Sequence, residues 1–240
     1  MDADPKSTIK SIVTGDYRSA AIFEKYSLDF CCKGGVTIDQ ACAEKNIDPA
    51  SVYADLSQLT GAPQDQAPHF TEWPIDELID YIVNVHHAYV RGSIPVILAH
   101  TQKVAVVHGA NHPEVVEIAR HFEVVAAEMQ THMEKEELML FPFIKSLVRA
   151  KRSDRPVIPP PFGTVENPIR MMEAEHCAAG DELYAVCSLS GNYEPPEDAC
   201  TTYRVSFKEL QQFERDLHHH VHLENNILFP KAIALEREVS

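Results

Sequence analysis

The sequence predicts an all-α protein, an up-down-up-down four-helix bundle preceded by a small helical domain. Three observations lead there. Four long segments keep helical periodicity, over about 74–107, 113–148, 168–189 and 197–235. Strand signals are nearly absent along the chain. Two of the long segments also carry one motif, His, three residues, Glu, four residues, Phe-Pro, starting at His132 and again at His220.

The elements follow in order. Asp16 caps a helix running to about Tyr26. Asp29-Phe30-Cys31-Cys32-Lys33-Gly34-Gly35 reads as a turn. Thr37 and Asp48 are two further start signals, the second with Pro49 at the first helical position. These make residues 1–60 a small helical domain, and the Pro-rich, polar stretch 61–73 a linker. The bundle then occupies 74–240. Pro95 is expected to kink its first helix, and a Pro-rich loop over 150–168 separates the second helix from the third.

Composition narrows the function. The chain has 240 residues, 45% hydrophobic, which suffices for a sizeable core. Its formal charge of −15 argues against nucleic acid and against an anionic membrane surface, both of which recruit basic patches. The first ten residues are polar and lack a signal-peptide core, and no apolar run reaches the ~18 residues of a spanning helix. A soluble, cytoplasmic protein is expected, with its six cysteines reduced. The adjacent Cys31 and Cys32 are candidates for redox or metal chemistry. Thirteen histidines direct attention to metals.

The repeat gives that chemistry a geometry. A helix turns about 100° per residue, so His and Glu four apart lie about 40° from each other, on one face. Within the tract HHHVHLE, only His220 has that relation to Glu224. His218, His219 and His222 fall about 120°, 140° and 160° away and are expected near solvent. The same arithmetic pairs His132 with Glu136 and leaves Glu134 and Glu137 off the face, with Glu128 near it one turn earlier. Leu217, Val221, Ile227 and Leu228 make the surrounding stripe apolar. Two carboxylates on apolar stripes are costly unless paired or metal-bound, and four-helix bundles meet that cost with a dimetal site between facing helices.

The remaining two helices are then expected to supply one ligand each. His176 is the one histidine of the third helix. The first offers His86 and His87, and the stripe Ile79, Ile82, Val83, Val90 favours His86. His86 and His132 are 46 residues apart, His176 and His220 are 44 apart, so the bundle reads as two related hairpins. Imidazole and carboxylate donors without thiolate suit a pair of first-row metals, iron before manganese or zinc.

These residues carry a likeness. Through YSLDFCCKGG (26–35), HMEKEELMLFP (132–142), MEAEH (172–176) and HLENNILFP (222–230), the chain resembles the iron–sulfur cluster repair di-iron proteins, the repair-of-iron-centres family. The likeness covers nearly the whole chain, with Lys33 standing where the family often has Gly. It implies an N-terminal Cys-Cys domain and a haemerythrin-like bundle. It also implies two non-haem iron ions, carboxylate-bridged and in some states oxo-bridged. The ligands it implies are His86, His132, His176 and His220, with Glu136 and Glu224 bridging. The implied function is repair of iron–sulfur clusters damaged by nitrosative or oxidative stress, through reduction of nitric oxide to nitrous oxide. Glu128 and Glu175 are then candidate proton relays.

Two other readings compete. One is donation of iron to damaged clusters without turnover, with Cys31 and Cys32 as iron-transfer or redox residues. The other is a haemerythrin-like sensor of oxygen or nitric oxide. Oxygen transport is disfavoured, because oxygen-carrying haemerythrins use more histidines than can be placed here. The implied partners are damaged iron–sulfur proteins, an electron donor and a second copy in a homodimer, with no nucleic acid and no membrane.

Overall fold

The computed structural model describes residues 4–59, 69–154 and 156–239. Most of the expected linker, 61–68, lies outside the described residues. The chain divides into two compact units, one of Met1–Pro74 with Val221–Pro230, the other of Ile75–His220 with Lys231–Ser240. Among the described residues the regular structure is helical, apart from one isolated bridge between Thr8 and Thr37.

The first unit holds α1 (Ile9–Gly15), a 3₁₀ turn (Tyr17–Ser19) leading into α2 (Ala20–Lys25), α3 (Ile38–Lys45) and α4 (Pro49–Gln58). Each start has a local cause. The Thr8 hydroxyl accepts from Ser11 N, a cap that the sequence reading passed over. Asp16 caps Arg18 N, Thr37 and Gln40 form a reciprocal capping box, and Asp48 caps Ala50 N ahead of Pro49. Ile9, Val13, Phe23, Phe30, Ile38, Val52 and Leu56 bury together as the core. The turn before α3 needs Gly34, where a Cβ would come 2.5 Å from Phe30 O. The left-handed non-glycine residues of this unit are Ser27 and Asn46, so Lys33 imposes no backbone strain.

The second unit carries the four-helix bundle. Its first helical run is α5 (Ile75–Tyr81), a π-helical turn (Ile82–His87) and α6 (Ala88–His108), continuous through Pro95. The second is α7 (Glu114–Lys135), a π-helical turn (Glu136–Leu140) and α8 (Phe141–Ser153). The third is α9 (Glu166–Leu189). The fourth is α10 (Thr201–Leu223), a π-helical turn (Glu224–Leu228) and α11 (Phe229–Val239); Val221–Pro230 of this run packs with the first unit. Val90, Ile94, Ile97, Phe122, Val125, Met129, Met172, Leu183 and Phe213 are among its buried side chains, at helical spacing. None of these helices is long and apolar enough to cross a membrane.

Candidate metal centre

Each copy of the repeat begins a π-helical turn at its glutamate. Phe141 N–H donates to Glu136 O, and Phe229 N–H donates to Glu224 O, each reaching back five residues instead of four. The following Pro142 and Pro230 have no N–H to continue the ordinary ladder, so proline is tolerated where the register has already shifted. Phe-Pro is thus the closing signal of a π turn. A third π turn, Ile82–His87, closes with Ala88 N–H on Val83 O.

These turns bring buried donors together in two overlapping groups. One is His132, Glu136, His176 and Glu224, the other His87, Glu136, His220 and Glu224; within each, the donor atoms lie within 4.8 Å of one another. Both glutamates belong to both groups. His132 Nε2 is 2.9 Å from His176 Nε2, and His87 Nε2 is 3.1 Å from His220 Nε2. Glu136 Oε2 is 3.4 Å from the Nε2 atoms of both His87 and His132.

Two imidazoles are held by carboxylates behind them. His132 Nδ1 lies 2.9 Å from Glu175 Oε2, and His87 Nδ1 lies 2.6 Å from Glu137 Oε1. An Nδ1–H donating to a carboxylate leaves Nε2 as a lone pair aimed at the donor cluster. Burial would raise the carboxyls of Glu175 and Glu137, yet both sit below the usual range. Lys135 and His132 outweigh burial at Glu175, and His87 and Arg91 do so at Glu137. Lone pairs converging on two buried carboxylates fit cations. The site residues therefore suit the metals that the sequence implies.

His86, favoured from the apolar stripe, is in neither group. Its Nδ1 sits 3.0 Å from Asp216 Oδ1, and its ring stacks on His220 at 5.7 Å. The cause is the π turn at 82–87. One added residue in the turn advances the helix by one position, so the face that begins at Ile79 and Ile82 arrives at His87. Glu128, one of the two relay candidates, is exposed on α7. The other, Glu175, is committed to His132 and Lys135. Glu137, set off the face by the arithmetic, is the residue behind His87.

The histidine tract separates differently from expectation. His218 and His219 are half-buried and His220 fully buried, but His222 is buried too, against the rings of Tyr17 and Phe30 and 2.8 Å from Asn226 Nδ2. Burial and the Lys10 charge push the His222 imidazole down to about 4, so it is neutral. Cys31 and Cys32 form a third group with Asp29. A hydrogen bond with Cys32, burial and the Asp29 charge hold Cys31 well above the ordinary thiol range, which keeps it a thiol and not a nucleophilic thiolate.

A helical bundle that gathers His and Glu donors around two shared carboxylates is a haemerythrin-like metal-binding protein. Residues 78–232 match the family described as "Hemerythrin HHE cation binding domain", and residues 5–60 match a domain of unknown function, DUF542. The chain is 34% identical over 223 residues to "Iron-sulfur cluster repair protein YtfE" of Citrobacter koseri, across 91% of this chain and 93% of the relative. The protein of the same name from Escherichia coli O157:H7 is equally similar, 34% over 223 residues, with 91% and 93% covered. A "Probable iron-sulfur cluster repair protein" of Haemophilus influenzae is 34% identical over 213 residues, covering 88% and 90%. The chain belongs to the iron–sulfur cluster repair protein family.

Proposed function

We propose that this chain is a cytoplasmic di-iron protein that repairs iron–sulfur clusters damaged by nitrosative or oxidative stress, through reduction of nitric oxide to nitrous oxide. The observation that carries the reading is the sharing of Glu136 and Glu224 between two donor groups, the arrangement expected of two metals with bridging carboxylates. The printed names of the relatives supply the biological direction.

In this reading His87 and His220 would hold one iron and His132 and His176 the other, with Glu136 and Glu224 available to both. Bound there, a pair of ferrous ions would supply the electrons and the Lewis acidity for coupling two nitric oxide molecules. The balance is two nitric oxide, two electrons and two protons to nitrous oxide and water, with the electrons restored by a separate donor protein. Glu137 and Glu175 fix the Nδ1 protons of His87 and His132, which keeps both Nε2 atoms as donors. Glu136 and Glu224 are themselves fully buried, so bulk water is excluded from their carboxylates.

The test is turnover. Anaerobic, reduced protein is given excess nitric oxide and a chemical reductant, and nitrous oxide is measured per chain. Nitrous oxide well beyond the iron content supports the reading. Product limited to the bound iron, together with iron lost to an apo-cluster acceptor, sinks it in favour of iron donation.

A further inference from the structure

We propose that Asp29, Cys31 and Cys32 form a second, separate cation site in the N-terminal unit, for one soft or borderline divalent ion such as zinc or ferrous iron. Cys31 Sγ and Cys32 Sγ are 3.7 Å apart, and Cys31 Sγ is 3.4 Å from Asp29 Oδ1. Thiolates bound at about 2.3 Å in a tetrahedral shell sit about 3.8 Å apart. The two sulfurs therefore already have the bite of a bidentate ligand. Two cysteine sulfurs, each giving up its proton as the ion binds, and a carboxylate are a donor set for zinc or ferrous iron, unlike the imidazole and carboxylate set of the bundle.

The turn is built to hold this shape. Asp29 Oδ1 accepts from Cys31 N at 2.9 Å and from Cys32 N at 2.8 Å. Asn225 Nδ2 donates to Cys31 O at 3.1 Å, and Asn226 Nδ2 donates to Phe30 O at 3.2 Å. Lys10 N donates to Gly34 O at 2.8 Å, and its Nζ donates to Asn225 O at 3.1 Å. The backbone on both sides of the sulfurs is thus fixed, while Asp29 is exposed and the two cysteines are half-buried. An ion has access from solvent, and the fourth position stays available to an incoming ligand. The site does not depend on the cluster-repair reading, since none of its donors belongs to the bundle groups.

Cobalt(II) is the probe, titrated anaerobically into reduced, iron-loaded, full-length protein. The readout is near-ultraviolet thiolate-to-cobalt charge transfer, which histidine and carboxylate ligands do not give. The absorption is expected to saturate at about one cobalt per chain and to vanish in Cys31→Ser/Cys32→Ser. Cys200→Ser is expected to keep it. Asp29→Asn retains an oxygen for both N–H groups but loses the charge, and Asn225→Ala loosens the turn; each is expected to weaken cobalt binding by about tenfold or more. Unchanged bundle iron and far-ultraviolet circular dichroism in each variant establish that the fold is intact. No charge transfer at stoichiometric cobalt, charge transfer that survives the double serine variant, or recovery of Cys31–Cys32 as a disulfide under the same reducing conditions overturns the proposal.

Discussion

The two copies of the repeat share spacing and backbone yet serve different neighbours. In both, a histidine and a glutamate one turn apart face the donor cluster, and the glutamate opens a π turn closed by Phe-Pro. The next two positions differ. After Glu136 come Glu137, which backs His87, and Leu138, which is 76% exposed. After Glu224 come Asn225 and Asn226, which hold the carbonyls of Cys31 and Phe30. The shared positions gather the donor groups, and the variable pair specifies what each helix does beside them. One copy orients His87, the other anchors the cysteine turn.

The largest effect tests the shared positions. Glu136→Ala and Glu224→Ala each remove a carboxylate common to both groups, so each is expected to cost most of the iron, measured per chain after anaerobic purification. Loss of only half the metal in either variant would break the equivalence of the two copies. Removing iron with a chelator is also expected to lower Tm in the native protein, because two buried carboxylates lose their cations.

Changes at the carboxylates behind the ligands come next. Glu137→Gln and Glu175→Gln keep a hydrogen-bond acceptor for the imidazole but lose its charge, and each is expected to weaken iron binding about 10–100-fold in a competition with chelator. Equal affinity in all three proteins would mean that these carboxylates are surface ion pairs only.

The smallest effect separates the variable positions. Asn226 is buried and bonded to Phe30 O, so Asn226→Ala is expected to cost about 1–3 kcal/mol in denaturant unfolding. Leu138→Ala, at the matching place in the other copy, is expected to stay within about 0.5 kcal/mol of the native protein. Similar costs at both positions would remove the distinction between anchor and surface.

Much of this is legible in the sequence, and what is not has separate physical origins. Periodicity and caps located the long helices, and Thr37 and Asp48-Pro49 begin α3 and α4 as expected. The short α1 escaped because a seven-residue helix gives too little periodicity to register. At the site, arithmetic at about 100° per residue applies within an ordinary helical stretch, and the pairs it links, His132 with Glu136 and His220 with Glu224, fall in the same donor groups. It does not carry across a π turn, after which His87 and not His86 falls in a donor group. His222 illustrates another limit. Its direction away from Glu224 was right, but that side meets Tyr17 and Phe30 instead of water, and a neighbour distant in sequence leaves no local trace.

If the π turns set which side chains share Glu136 and Glu224, the first helix is where the effect is read. Iron per chain is measured after anaerobic purification for the native protein, His86→Ala and His87→Ala. About two irons are expected in the native protein, with little change in His86→Ala and a marked loss in His87→Ala. Loss in His86→Ala with retention in His87→Ala would contradict this, restoring the unbroken helical phase and removing the basis for the donor groups described here.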